Sequence, residues 1–215
     1  MDVLLRYLRA EDINQVVEIE REAFAPLWVS TPFKRDLNNR YACHLVACKP
    51  EGEGAGDPAP ETTAESQRLL TRMYQRARGL VPQGRGELVP TSYVAGYVSV
   101  WYQGEEAHIT EIAVRAELRG NGIGELLLIG SLRGALQYGS KVMTLEARVS
   151  NFIAQRLYEK YRFKSVGIRK GYYSDNREDA VIMTTTPIQS EEYQTMFYGL
   201  QEAYRSRWGE ICIET

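Results

Sequence analysis

Residues 114–132 read "VRAELRGNGIGELLLIGSL". Gly120, Gly122 and Gly124 fall within five positions, directly behind Arg119 and directly ahead of an apolar run with helical spacing. Glycine opposes helix formation, so three of them at a helix start need a reason. A tight turn at left-handed positions is one. The other is a nest: free N–H groups at a helix N-terminus converge on an anion, and Arg119 adds a full positive charge. A P-loop would end in Gly-Lys-Ser/Thr, whereas Gly124 is followed by Glu125, and a dinucleotide fingerprint spaces its glycines G-x-G-x-x-G where this chain has G-x-G-x-G. The "IAV" strand before the loop and the leucine-rich helix after it favour a pyrophosphate site over a bare turn.

Outward from this loop the pattern is mixed. "YACHLVACK", "YVAGYVSVWYQ" and, after a turn at Gly104, "HITEIAVRA" alternate as strands and predict an antiparallel meander. Ile123, Leu126, Leu127, Ile129, Leu132 and Leu136 trace a broad apolar helical face. "KVMTLEARV" follows as a strand, so the helix is a crossover. Val3–Leu8 predicts a first strand and "EDINQVVEIEREAF" an amphipathic helix. "TPFKRDLNNR" predicts a second short helix from Thr31, with Pro32 in its first turn. "SNFIAQRLYEKYRF" is a further helix, capped by Ser150, and "KSVGIRKGYY" and "EDAVIMTTT" are the last two strands. The fold class is α+β, with about seven strands in one mixed sheet flanked by helices. Residues 1–187 form the main domain. An insertion at 49–92 is rich in Gly, Pro and acids, and 188–215 form an amphipathic terminal helix and tail. Tyr193, Phe197, Leu200 and Tyr204 recur at helical spacing in that helix, which packs on its own sheet or on a second chain.

The 215 residues, 44% hydrophobic and 25% charged, suit one globular domain, and a net charge of −2 speaks against direct nucleic-acid binding. Cys43, Cys48 and Cys212 have no metal-type spacing with His44 or His108 and are odd in number, which predicts no metal and a reducing compartment. No signal peptide or spanning segment is visible, so a cytoplasmic protein without a membrane partner is expected.

"IAVRAELRGNGIGELLL" resembles the acetyl-CoA-binding motif of the GNAT superfamily, Arg/Gln-x-x-Gly-x-Gly/Ala, through Arg119, Gly122 and Gly124. "TLEARVSNFIAQRLYEKYRFKSVGIRKGYYSDNREDAVIM" is similar over nearly its whole length to the RimI-type ribosomal-protein-alanine N-acetyltransferases. The resemblance covers 93–186 strongly and 1–50 weakly. It implies a splayed sheet whose parting parallel strands admit the acetyl-pantetheine arm, paired with backbone at Ile112, Ala113 and Val114. The pyrophosphate would lie on Arg119, Gly120, Asn121, Gly122, Ile123 and Gly124. The implied acceptor is a protein N-terminus, the α-amine of an alanine on a small-subunit ribosomal protein. Such an amine titrates near 8 and asks less of a base than a lysine near 10.4. A lysine or small-amine acetyltransferase, or an acetyl-CoA-binding module without turnover, is the alternative.

Glu146 sits mid-strand in "TLEAR", where a carboxylate needs a partner or a task. It either pairs with Arg148 or another base, or, as the resemblance implies, is the general base acting through a water. Tyr158 lies seven residues after Asn151, on the same helical face, and is either a core-edge tyrosine or the implied general acid for the CoA thiolate. Asn151 caps the helix or holds the pantetheine arm. Glu111 is the rival base, a reader of the substrate amine, or a solvated residue. Tyr172 and Tyr173 precede a turn and either wall a peptide groove or pack across strands. The resemblance adds Trp28 to the substrate site, in a loop one residue longer than the family's Phe-Pro-Trp arrangement. Arg68, Arg72 and Arg76 form a basic stripe, either a solvated face or a contact for RNA or an acidic partner.

Overall fold

A computed structural model describes residues 3–24, 31–49 and 92–214. Trp28, the arginine stripe and all of 50–91 lie outside the described residues. Among the described residues the chain order is β1 (Leu4–Tyr7), α1 (Ile13–Phe24), α2 (Phe33–Asp36), β2 (Ala42–Lys49), β3 (Tyr93–Gln103) and β4 (Glu106–Val114). There follow α3 (Ile123–Tyr138), β5 (Val142–Arg148), α4 (Phe152–Lys160), β6 (Phe163–Arg169), β7 (Ala180–Thr185), α5 (Glu191–Trp208) and β8 (Cys212–Glu214). The strands form one sheet in the order β6-β7-β5-β4-β3-β2-β1-β8.

The expected meander is present: β2 pairs antiparallel with β3, and β3 with β4. β5 lies parallel to β4, as a crossover through α3 requires. About seven strands were expected and eight are found. The eighth, β8, is three residues long and pairs parallel with β1, Leu4 opposite Cys212. A segment that short carries no periodicity of its own. It becomes a strand because α5 returns the chain to the β1 edge.

Two apolar clusters sandwich the sheet. The larger gathers α3, α4 and α5 on one face, with Leu5, Leu45, Val98, Ile109 and Leu145 beneath them. The smaller packs Val16, Ile19 and Phe33 of α1 and α2 on Val46, Val94, Tyr97 and Ala113. Tyr193, Phe197 and Tyr204 of α5 are buried in the larger cluster, the Tyr193 hydroxyl donates to the Tyr161 carbonyl at 3.0 Å, and Arg133 Nε donates to Gln201 at 2.7 Å. The terminal helix therefore covers this chain's own α3 and α4. None of the described helices is long and apolar enough to cross a membrane.

Two local expectations shift, one by two residues and one by a single residue. α2 begins at Phe33 with Pro32 as its N-cap, because Thr31 is engaged elsewhere. Asn151, not Ser150, caps α4: its side chain accepts from the Ala154 N–H at 3.2 Å, while the Ser150 N–H donates to Glu178 at 2.9 Å.

One irregularity positions the site. Opposite β3, Glu111 pairs with Ser99 and Ile109 with Val100, which leaves Thr110 as an extra residue in β4. A bulge bends its strand and increases its twist. Pairing of β4 with β5 accordingly stops at Ile109 and Leu145, although β4 continues to Val114 and β5 to Arg148. The strands part into a fork.

Candidate functional site

The glycine loop enters α3 beside the fork. Gly120 and Gly122 have φ of 81° and 78°, the left-handed region, and Gly122 is the N-cap of α3. The Asn121 side chain ties the turn down by donating to the Leu118 and Arg119 carbonyls. Among the described residues, the N–H groups from Gly120 to Glu125 find no acceptor; the first helical bond closes from Leu126 to Gly122. Arg119 Nε donates to the Val114 carbonyl at 3.1 Å. Its guanidinium is thereby held between the loop and the end of β4. Gly124 is conformationally ordinary, and its missing Cβ would only touch Val114. Ile123 is buried beneath the turn.

The β4 edge released by the fork carries Ile112, Ala113 and Val114. They remain paired to β3 through Val98, Tyr97 and Gly96 and have no partner in β5. Such an edge has backbone groups to offer an extended ligand.

Across the fork, Glu146 is the first β5 residue past the last pair. Its side chain is 8% exposed, with Oε2 2.7 Å from His108 Nε2 and Oε1 3.0 Å from an Arg169 nitrogen. The pairing with another base foreseen for Glu146 is thus made with these two residues. Arg148 turns instead to Asp175 and Glu178 and lies 3.9 Å from the centre of the Tyr173 ring. His108 and Arg169 were missed by the sequence reading. His108 precedes Glu146 by 38 positions and shares its face only through the register that sets His108 opposite Thr144. The hint available was a lone histidine in "AHITE", one strand before a mid-strand glutamate.

Tyr172 and Tyr173 meet edge to face with centroids 5.2 Å apart, and Arg169 lies 5.5 Å from the Tyr172 ring. Burial pushes the Tyr173 phenol up to about 12 against the pull of Arg148, with Tyr172 and Glu146 adding to the rise. Tyr158 is 5% exposed and its ring packs 5.7 Å from that of Phe163. Burial, then Tyr173, holds its phenol far above the ordinary range, so it keeps its proton. Its hydroxyl forms no hydrogen bond among the described residues. Tyr173 feels the Glu146 charge and itself adds to the rise at Tyr158.

Glu111 faces a different neighbourhood. Its carboxylate accepts from the Thr31 hydroxyl and the Tyr97 hydroxyl, each at 3.0 Å. Beside it lies Glu20 of α1, fully buried, whose Oε1 accepts from the Thr31 N–H at 3.1 Å and whose Oε2 has no partner. Burial, reinforced by the Glu20 charge, raises the Glu111 pKa from 4.5 to about 7.

A raised carboxyl pKa means the folded chain holds the proton more tightly than the unfolded one. Stability is therefore full below pH 4.5 and falls as pH rises toward 7. Glu111→Gln removes the buried charge and offers Glu20 an N–H donor. It should match the parent's melting temperature near pH 4.5 and exceed it by a few degrees at pH 8, on the order of 2 kcal/mol. A difference independent of pH would refute the raised Glu111 pKa.

A profile of the Acetyltransferase (GNAT) family matches residues 57–163. A Bacillus subtilis (strain 168) protein, provisionally named a ribosomal protein bS18-alanine N-acetyltransferase, is 33% identical over 183 residues, 85% of this chain and 94% of that protein. This chain belongs to the GNAT acetyltransferase family.

A second GNAT relative, an N-alpha-acetyltransferase of Sulfurisphaera tokodaii, is 40% identical over 180 residues, covering 83% of this chain and 90% of its own. Among solved structures, the ribosomal-protein-S18-alanine N-acetyltransferase of Escherichia coli superposes with a TM-score of 0.60 at 23% identity, over 87% of this chain and 95% of that one. The splayed mixed sheet is thus the GNAT fold. GNAT enzymes take their acetyl group from acetyl-CoA. Unused N–H groups beside Arg119 suit a pyrophosphate, and the unpaired β4 edge suits an arm that carries amides.

Proposed function

We propose that this chain is an N-terminal acetyltransferase, moving the acetyl group of acetyl-CoA to the α-amine of a protein N-terminus. The acceptor that the relatives' names point to is an N-terminal alanine of a small-subunit ribosomal protein, and such an acceptor places the reaction in the cytoplasm. The observation that carries this reading is Glu146, held at the mouth of the fork by His108 and Arg169.

An ammonium cannot attack a thioester, so the first task is to remove a proton. Glu146 accepts it, through one water, and His108 at 2.7 Å gives the carboxylate a neighbour that fixes its orientation and can pass the proton on. The neutral amine adds to the thioester carbonyl, the carbon–sulfur bond breaks, and Tyr158 gives its proton to the departing sulfur. Gly120, Asn121, Gly122, Ile123, Gly124 and Arg119 hold the pyrophosphate. Ile112, Ala113 and Val114 pair with the pantetheine arm. The Asn151 carbonyl oxygen is spent on the helix cap, which leaves its amide NH2 to face that arm. Tyr172, at 46% exposure, lines the acceptor side, and Trp28 is assigned to the same side. Glu111, which accepts from the Thr31 hydroxyl, is assigned to that side as well.

Incubation with acetyl-CoA and peptides that begin in Ala, Ser or Met, or that carry an internal Lys, followed by mass spectrometry, tests the assignment. The acetyl group should appear on the α-amine, fastest for Ala. Acetylation of the lysine side chain would replace this reading with a lysine acetyltransferase. Bound CoA without transfer to any acceptor would make the chain a binding module.

A further inference from the structure

α5 ends at Trp208, and its indole lies on the glycine loop. A Cβ built at Gly122 would stand 2.8 Å from indole Cδ2 and Cε2 and 2.9 Å from Cγ, closer than side-chain carbons approach. Gly122 is therefore required twice, by its φ of 78° and by the ring against it. Gly120, two residues earlier, shows the contrast: its φ of 81° also needs glycine, but nothing lies within 4 Å of its missing Cβ. The turn is open on one side and pressed by the terminal helix on the other. The N–H groups that follow Gly122 are those that donate to nothing in the described chain.

The helix that delivers the indole is firmly seated. Tyr193, Phe197 and Tyr204 are buried, and Trp208 itself packs against the larger cluster. The first turn of α3 is also braced at Glu125, whose Oε1 accepts from the Tyr161 hydroxyl at 2.7 Å and pairs with Lys160. Arg207 stacks on the same indole, its guanidinium carbon 4.7 Å from the ring centre, and makes no ion pair among the described residues. A positive charge thus accompanies the ring to the loop.

We propose that Trp208 is a positioning residue for the donor site: the C-terminal helix, through its indole, sets the turn at Gly120–Gly124 so that its N–H groups converge on the pyrophosphate of coenzyme A. This rests on the acetyl-CoA reading above and concerns the nucleotide end of the donor alone. The consequence is selective. Loss of the indole should weaken ligands that carry the pyrophosphate and spare those that lack it.

The test is binding, measured on the full chain by calorimetry with CoA and by NMR titration with pantetheine. Trp208→Ala should weaken CoA about tenfold and leave pantetheine within about twofold; Trp208→Phe, which keeps a ring, should stay within about threefold for both. Gly122→Ala should weaken CoA as well, and by a smaller factor in the Trp208→Ala background, because the ring it strikes is gone. Equal loss of CoA and pantetheine in Trp208→Ala, or no loss of either, overturns the proposal. If Trp208→Ala does not fold, unchanged CoA affinity in Gly122→Ala overturns it. A parent chain that bound no CoA would remove the donor reading itself, a result the acetylation assay reports independently.

Discussion

Glu146→Gln should lower kcat by about a hundredfold or more and leave CoA affinity within about twofold. The substitution keeps volume and shape on β5 and a carbonyl oxygen for Arg169, but it cannot take a proton. It also presents an NH2 group where His108 met an oxygen, so the acceptor side loses its alignment along with its base. The proposed CoA contacts lie with the glycine loop and the β4 edge, which this change does not touch. Glu111→Gln provides the control. Its carboxyl is engaged by Thr31, Tyr97 and Glu20, and kcat at neutral pH should stay within a few-fold of the parent. Single-turnover acetyl transfer on both variants decides between the carboxyls: a severe loss in Glu111→Gln with near-normal transfer in Glu146→Gln moves the base to Glu111.

Tyr158→Phe should cost kcat on the order of a hundredfold with little change in KM for either substrate. The expected effect on stability is unusually small for a buried tyrosine. The hydroxyl has no hydrogen bond among the described residues, so its removal orphans no partner, and the ring keeps its packing on Phe163. Tyr161 and Tyr193 differ, since their hydroxyls serve Glu125 and the Tyr161 carbonyl, and phenylalanine at either should lower the melting temperature. A Tyr158→Phe enzyme that turns over like its parent would strip Tyr158 of the acid role. A chemical route to the same answer is a thioester with a more acidic thiol, whose departure needs less help and on which the variant should recover.

Elements with a local signal were legible in the chain. The glycine loop, the apolar run of α3, the three alternating strands of the meander and the crossover into β5 each follow from spacing within about twenty residues. For the site, motifs in the chain named Glu146, Tyr158 and Asn151 as candidates. The site was not legible where partners come from distant strands. His108 reaches Glu146 by β4–β5 register, and Arg169 reaches it through the β5–β7–β6 pairing. Glu20 meets Glu111 only once α1 lies across β4, and Trp208 meets Gly122 from 86 positions away. Cap choice between Ser150 and Asn151 turned on which of two adjacent oxygens the backbone could reach.

Thr110 has an effect beyond opening the fork. Ala107 and Ile109 sit in the larger apolar cluster and Ile112 and Val114 pack against it, so the inward face advances by three residues across the bulge where a regular strand would advance by two. The extra residue is therefore also a parity change. It puts His108 and Glu111, an even and an odd position, on one side of the sheet. Deleting Thr110 would remove the bulge and let β4 zip onto β5 while Glu111 and Ile112 kept their present faces, whereas straightening the strand with Thr110 in place would turn Glu111 into hydrocarbon and Ile112 toward Tyr97. Donor gap and polar face are thus separable: one deletion in this strand closes the first and leaves the second in place.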